Sequence, residues 1–348
     1  MKKNVKYRVL GIMSGTSIDG IDLAITTFFK KNKSWHYNVE KCKTIEYSKY
    51  WKSTLAFLHN KKHKVIKKVD KEFGKYIAQI TNNFLVNEKI DFISCHGHTI
   101  FHEPEKKITL QIGDGKSIAR LCKVKTINNF RNLDVSLNGQ GAPLVPIGDL
   151  HLFKEYKYCV NLGGFANISI KKPNYITAFD ICPVNIVLNK VCEELNTEYD
   201  NNGKIARQGL IIPNLLKELN QLNYYDRNPP KSLSREWVEK NIYPLLNNYK
   251  PKDVLCTFCE HIAIQVGKHL KSEKALFTGG GVFNKYLIER INFYSTSKII
   301  IPDNELINFK EAIIFGFLGV LKFRNEINCL RSVTGAKKDN CGGIIHEF

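Results

Sequence analysis

The chain has 348 residues, 43% of them hydrophobic, and a formal charge of +19 from 52 Lys and Arg against 33 Asp and Glu. That length can bury a sizeable core and predicts two domains. The charge is almost all lysine spread along the whole sequence, with no arginine and aromatic cluster of a nucleic-acid module, so nucleic acid is excluded as a partner and a mild attraction for anionic small molecules is expected.

No apolar run approaches the roughly 20 residues of a membrane span. The basic, polar start Met1-Lys2-Lys3-Asn4 runs straight into a strand without an apolar leader, so a cytoplasmic protein away from the membrane is expected. Ten cysteines without regular spacing read as reduced thiols packed as small hydrophobes.

Residues 8–13 and 21–29 are predicted strands, and between them lies Ser14-Gly15-Thr16-Ser17-Ile18-Asp19-Gly20, with Ile21 and Asp22 opening the second strand. Gly15 and Gly20 let backbone N–H groups turn toward an anion, and Thr16 and Ser17 add hydroxyls. Asp19 and Asp22 would repel phosphate unless a divalent cation lay between them. A Walker loop needs a lysine and a following helix, and both are missing here. A phosphate-binding hairpin and an ordinary turn-rich hairpin both fit this stretch.

A long helix is expected over 65–87, its lysine-dense start at 61–71 being a solvated face. A short strand follows at 91–95 and ends in polar residues, as functional strands of α/β proteins do. His96, His98 and His102 offer metal ligands, but Gly97, Thr99 and Pro104 break the spacing and no cysteine cluster completes a zinc set. A second glycine turn joins the apolar runs of 159–170 through Gly163 and Gly164. Asp180 precedes a helix-like run at 185–195, where a helix N-cap is the plain structural reading. Cys256-Thr257-Phe258-Cys259 lies in an apolar helical run over 254–266, which favours core packing over redox chemistry. A third turn, Gly279-Gly280-Gly281, ends a strand and opens a helix from Asn284. Three such turns across both halves of an α/β chain point to a nucleotide.

Seven ordered blocks carry a more specific signal: Gly15 to Asp22, Cys95-His96-Gly97-His98-Thr99, Leu110-Gln111-Ile112-Gly113-Asp114, Phe130-Arg131, Gly139-Gln140-Gly141-Ala142-Pro143-Leu144, Asn161-Leu162-Gly163-Gly164-Phe165-Ala166-Asn167 and Ser332-Val333-Thr334-Gly335-Ala336. Together they resemble the anhydro-N-acetylmuramic acid kinase family. The resemblance implies an actin, Hsp70 and sugar-kinase fold: two ribonuclease-H-like α/β domains, 1–135 and 136–348, with a nucleotide and sugar cleft between them. The last helices are candidates to pack back on the first domain.

It further implies an ATP- and Mg²⁺-dependent enzyme that adds water across the 1,6-anhydro ring of a peptidoglycan-derived sugar and phosphorylates O6, acting as a homodimer. Another sugar kinase of this fold, or a non-catalytic nucleotide-binding scaffold, are the alternatives. ATP would be contacted by Gly15, Thr16, Ser17, Asp19, Gly20, Asp22, Gly163, Gly164, Asn167, Gly279, Gly280, Gly281 and Asn284, with Asp19 holding Mg²⁺. The sugar would meet His96, Arg131, Gln140, Asn185 and Glu311, with Arg131 pairing its carboxylate. Glu311 opens a predicted helix over 311–321, where a favourable charge at a helix N-terminus is the plain reading. The catalytic base is implied to be Asp180.

Two departures bear on specificity. The family block F-D-T-G-P-G-N reads Phe179-Asp180-Ile181-Cys182-Pro183-Val184-Asn185 here, and His98 stands where the family carries glutamine.

Overall fold

A computed structural model describes residues 5–15, 18–173 and 175–348. In chain order its main elements are β1 (Lys6–Ser14), β2 (Gly20–Lys31), β3 (Ser34–Glu46), α1 (Lys49–Phe57), α2 (His63–Phe84), β4 (Phe92–Glu103), β5 (Ile108–Ile112), α3 (Gly115–Cys122), β6 (Thr126–Asn128), α4 (Asn132–Ser136), α5 (Pro146–Leu152), β7 (Tyr158–Leu162), β8 (Phe165–Lys171), β9 (Ile176–Pro183), α6 (Asn185–Glu193), α7 (Pro213–Asn220), α8 (Arg235–Asn241), α9 (Tyr243–Leu246), α10 (Pro251–Gly267), β10 (Lys274–Thr278), α11 (Lys285–Tyr294), β11 (Lys298–Ile300), α12 (Asn304–Phe323), α13 (Arg331–Thr334) and β12 (Ile344–His346). Contacts divide the chain into two units, one made of Met1–Leu152 with Phe309–Phe348 and the other of Phe153–Asn308. The expected boundary at 135/136 falls inside the first of these.

The first unit is built on a sheet in the order β12-β6-β4-β1-β2-β3, with β5 paired to β4. β2 runs antiparallel to both β1 and β3, whereas β1, β4 and β6 are parallel. β1 lies in the middle and buries Val9, Leu10 and Ile12, which is why its sequence is a continuous apolar run instead of an alternating one. On α2, Ile66, Val69, Phe73, Ile77, Ile80 and Phe84 recur every three or four residues and face the core. Lys64, Lys67, Lys68 and Lys71 point to solvent, so the dense lysine run is a solvated helix face. Asp114 caps α3 by accepting from the Ser117 amide at 2.9 Å, and Asp70 of α2 accepts from the Gly113 amide at 2.7 Å. The Leu110–Asp114 block therefore fastens α2 to α3.

The second unit repeats the plan, in the order β11-β10-β7-β8-β9. β7, β8 and β9 are antiparallel and β7, β10 and β11 parallel, so each unit joins a three-strand meander to parallel strands. Its core includes α6, α10 and α11 through Val187, Val191, Phe258, Ile262 and Leu287. Cys256 and Cys259 are both buried on α10, and Cys256 Sγ lies 3.4 Å from Tyr286 Oη. All ten cysteines are free thiols, and the C-x-x-C pair is core packing.

Two structural readings of the sequence need correction. Asp180 lies within β9, four residues before Val184, which is the N-cap of α6 and makes no side-chain cap bond; β-pairing to β8 overrides the capping pattern. Glu311 lies inside α12, which begins at Asn304, so it is no first-turn charge. The Asn-Glu-Leu-Ile start is polar enough to hide that extra helical length from a periodicity reading.

Candidate active site

In the first unit the turn between β1 and β2 stands at the carboxyl end of β1. Thr16 and Ser17 lie outside the described residues. Gly15 accepts from the Ile18 amide at 3.4 Å, and Ile18 takes a positive φ of 55° that a branched residue rarely adopts. Asp19 is exposed, and its Oδ1 accepts from the Gly20 amide at 2.9 Å. Asp22 is half-buried on β2 and accepts from Thr44 Oγ1 at 2.6 Å. Burial raises its pKa, Thr44 opposes that, and the negative charge of Asp19 adds to the rise.

β4 runs past the end of β1, with His98 opposite Ser14, and carries the histidines. His96 is buried with its ring 4.5 Å from that of Phe315. Its Nδ1 lies 2.9 Å from the Gly97 carbonyl, and its Nε2 lies 3.1 Å from Arg131 Nε and 2.9 Å from Nη2. A ring whose Nδ1 donates to a carbonyl and whose Nε2 accepts from a guanidinium is neutral, and burial followed by the Arg131 charge drives its pKa well below the usual value. His98 is held down to about 4, also by burial. Among the described residues no group of three or more His, Cys, Asp or Glu is placed to hold a metal, and His96 and His98 face different partners.

Arg131, at the N-cap of α4, gives a third donor to the Gly141 carbonyl at 2.8 Å. A guanidinium has five N–H groups, so one on each terminal nitrogen remains for a ligand. Burial pulls its pKa down to about 10, while Glu311 acts in the opposite sense. The Glu311 carboxyl is raised by desolvation, eased by Arg131, and raised again by Asp22. Gln140 is exposed on the loop after α4, its amide donating to the Thr334 carbonyl at 2.8 Å.

That loop hangs on a residue the sequence reading missed. Asp134 is fully buried. One carboxylate oxygen accepts from the Gly141 amide at 2.8 Å, and the other from Thr334 Oγ1 at 2.9 Å, Asn340 Nδ2 at 2.8 Å and Cys329 Sγ at 3.0 Å. The Ser332–Ala336 block thus holds the Gly139–Gly141 loop through Asp134. Partners about 200 positions away leave no local pattern to detect.

In the second unit Gly163 and Gly164 form a two-residue loop joining β7 to β8. Their carbonyls accept from the amides of Val184, Asn185 and Ile186, which places the start of α6 against the loop. Gly279 has a φ of 84°, and a Cβ there would come within 2.6 Å of Asn161 Oδ1, so glycine is required. Asn284 caps α11 by accepting from the Leu287 amide at 2.9 Å. Asn185, Gly280, Gly281 and Asn284 line one cavity of about 500 Å³ together with Tyr199 and Phe283, two aromatics that sequence reasoning did not select. Asp200 fixes its edge by accepting from the amides of Ile205 and Ala206, both at 2.9 Å.

Asp180 pairs with Asn167 of β8, and the chain around 224–233 wraps it. Its amide donates to the Lys231 carbonyl at 3.2 Å, its carbonyl accepts from Tyr224 Oη at 2.7 Å, and Oδ2 accepts from the Leu233 amide at 2.9 Å. Burial raises the carboxyl pKa and the Leu233 bond moderates the rise. One carboxylate oxygen is thereby anchored, and Oδ1 makes no hydrogen bond among the described residues.

Two sheets that share one order, a three-strand meander joined to parallel strands, define a class of protein with two ribonuclease-H-like α/β units. Within that class the family profile described as anhydro-N-acetylmuramic acid kinase (AnmK) matches residues 7–347. The chain belongs to the anhydro-N-acetylmuramic acid kinase family, and it is a phosphotransferase with an alcohol group as acceptor. It is 32% identical to the anhydro-N-acetylmuramic acid kinase of Francisella tularensis subsp. novicida, with 99% of each chain covered. It is 31% identical to that of a Sulfurovum species over 98% of this chain and 99% of the relative, and 30% identical to that of Bacillus cereus strain Q1 over 95% and 96%. No helix among the described residues is long and apolar enough to cross a membrane.

Proposed function

We propose that the chain uses ATP and Mg²⁺ to open the 1,6-anhydro ring of 1,6-anhydro-N-acetylmuramic acid with water and to phosphorylate O6, giving N-acetylmuramic acid 6-phosphate in cell-wall recycling. The observation that carries this reading is Asp180: a half-buried carboxylate with one oxygen anchored by the Leu233 amide and the other left to accept a proton. A base so held takes the proton from water as the water attacks the anomeric carbon, and the departing ring oxygen becomes the acceptor of the phosphoryl group. The altered residues after Asp180 leave this support intact, because Ile181, Cys182 and Val184 are buried in the core while the anchoring bonds come from Tyr224, Lys231 and Leu233.

On the sugar side, Arg131 presents its two remaining N–H groups to the lactyl carboxylate, Gln140 and Glu311 meet hydroxyl or amide groups, and His96 acts by orienting Arg131. On the nucleotide side, the cavity bounded by Gly280, Gly281 and Asn284 suits the nucleoside, with Tyr199 and Phe283 offering apolar faces. The turn from Gly15 to Asp22 and the loop at Gly163, Gly164 and Asn167 suit the phosphates.

Asp19 and Asp22 form an oxygen-only donor set in which one carboxylate raises the other's pKa, as fits a hard cation between them and the phosphates. When bound, Mg²⁺ would neutralise charge on the transferring phosphoryl group. Asp19→Asn is expected to raise the Mg²⁺ concentration needed for half-maximal rate by at least about tenfold, the loss of one charged ligand. An unchanged metal titration would remove Asp19 from this role. The resemblance also supports a cytoplasmic homodimer; sedimentation of the full chain tests the dimer.

The reaction is tested by mass spectrometry of the products from ATP, Mg²⁺ and the anhydro sugar in ¹⁸O-labelled water. Label at C1 with phosphate at O6 is the expected result. Phosphorylation of a different sugar and none of this one would overturn the substrate assignment.

A further inference from the structure

β4 leaves register with β1 at one point. Ile12 pairs with Cys95 and Ser14 with His98, so two steps along β1 meet three along β4 and the extra residue forms a bulge. Gly97 occupies it with a φ of 78°, and a Cβ there would lie 2.3 Å from the Ile112 carbonyl oxygen. Bulges re-aim the side chains beside them. On one side His96 is turned onto Arg131; on the other, His98 is turned onto Ser14, with Nδ1 at 2.8 Å from Oγ.

The hydrogen bonding continues from there. Ser14 Oγ lies 2.6 Å from Tyr47 Oη, and the Tyr47 amide donates to the Asp19 carbonyl at 3.3 Å. Ser14, Tyr47 and His98 are all buried, with Tyr47 and His98 packed around Phe73. Tyr47 therefore touches the chain on both sides of the turn, at Ser14 before it and at Asp19 after it.

We propose that His98 is a positioning residue for nucleotide binding: through Ser14 and Tyr47 it fixes both ends of the turn that receives the phosphates. The proposal rests on the nucleotide reading of that turn given above. The ring does this as a neutral group, because burial keeps it unprotonated near neutral pH. It thus serves as the donor and acceptor that a glutamine would be at the same place. One backbone irregularity in β4 sets the sugar-side guanidinium through His96 and the phosphate turn through His98.

The test is titration of ATP with Mg²⁺ onto the full chain in the absence of sugar, followed by steady-state kinetics. His98→Leu and Ser14→Ala are each expected to weaken the ATP Kd about tenfold, the factor that one lost buried hydrogen bond carries. His98→Gln should stay within about twofold of the unaltered chain, and the sugar KM should hold in all three. Ser14→Ala removes a single hydroxyl and keeps the test open should His98→Leu fail to fold. A packing role alone would lower the melting temperature of His98→Leu and leave the ATP Kd in place, which overturns the proposal. So would a glutamine variant as weak as the leucine one, or a sugar KM rising by the same factor as the ATP Kd. Absence of ATP binding by the unaltered chain would overturn the nucleotide reading itself.

Discussion

Asp180→Asn is expected to lower kcat by about 10²- to 10⁴-fold, the span of a lost general base, while the ATP Kd stays within twofold. Asparagine keeps the size of the side chain and its acceptor toward the Leu233 amide, so the wrap around 224–233 survives and only the proton acceptor is lost. The unaltered enzyme carries a second signature. Its base must be ionised to work, and burial places the Asp180 pKa above the ordinary aspartate value of 3.8. The rate therefore falls as pH is lowered through that raised pKa, and the acid limb of kcat lies higher than a solvent-exposed aspartate would put it. Cys182 and Tyr224 are the titratable groups whose own pKa values feel the Asp180 charge. The residual activity of Asp180→Asn should lose that limb. Turnover at the normal rate in Asp180→Asn would assign the base elsewhere.

Arg131→Ala is expected to raise the KM for the anhydro sugar by about 10- to 100-fold, as charge-assisted hydrogen bonds to a carboxylate imply, with the KM for ATP nearly unchanged. Arg131→Lys should recover little of this. The guanidinium bonds His96 and Gly141 and still keeps one N–H on each terminal nitrogen, which a single ammonium cannot reproduce. An analogue with its lactyl carboxylate amidated should lose the same factor on the unaltered enzyme and nothing further on Arg131→Ala, closing the cycle on that one contact. Equal rises in both KM values would show that the substitution loosens the first unit as a whole.

How much of this was legible beforehand depended on the range of the interactions. The β1–β2 hairpin, the amphipathic α2, the loop at Gly163 and Gly164 and the cap at Asn284 are local, each encoded within about twenty residues by periodicity or turn chemistry. The seven blocks spaced along the chain carried the family resemblance, since residue identity and order are present in the chain before any tertiary contact forms. Helix and strand ends were less legible: α12 runs back to Asn304, and Asp180 joins β9 instead of capping α6.

The supporting residues were hidden for a different reason. Asp134 is bonded to Thr334 and Asn340, Ser14 to His98, and Asp180 to Tyr224 and Leu233. A buried hydrogen bond between distant residues has no period and no spacing rule, so its members look ordinary in the chain. The departures after Asp180, Ile181, Cys182 and Val184, are buried core positions, a placement that the linear sequence does not reveal.

The sequence by itself determined the order of elements, the family and which residue types could do the chemistry, because these follow from local propensity and from the identity of polar groups at strand ends. Only the tertiary structure decided what those groups are doing. It turned His96 onto Arg131, put His98 against Ser14 at the end of β1 and left one oxygen of Asp180 without a hydrogen bond among the described residues, because burial and long-range hydrogen bonding set protonation and direction, and both depend on partners that meet only after the chain has folded.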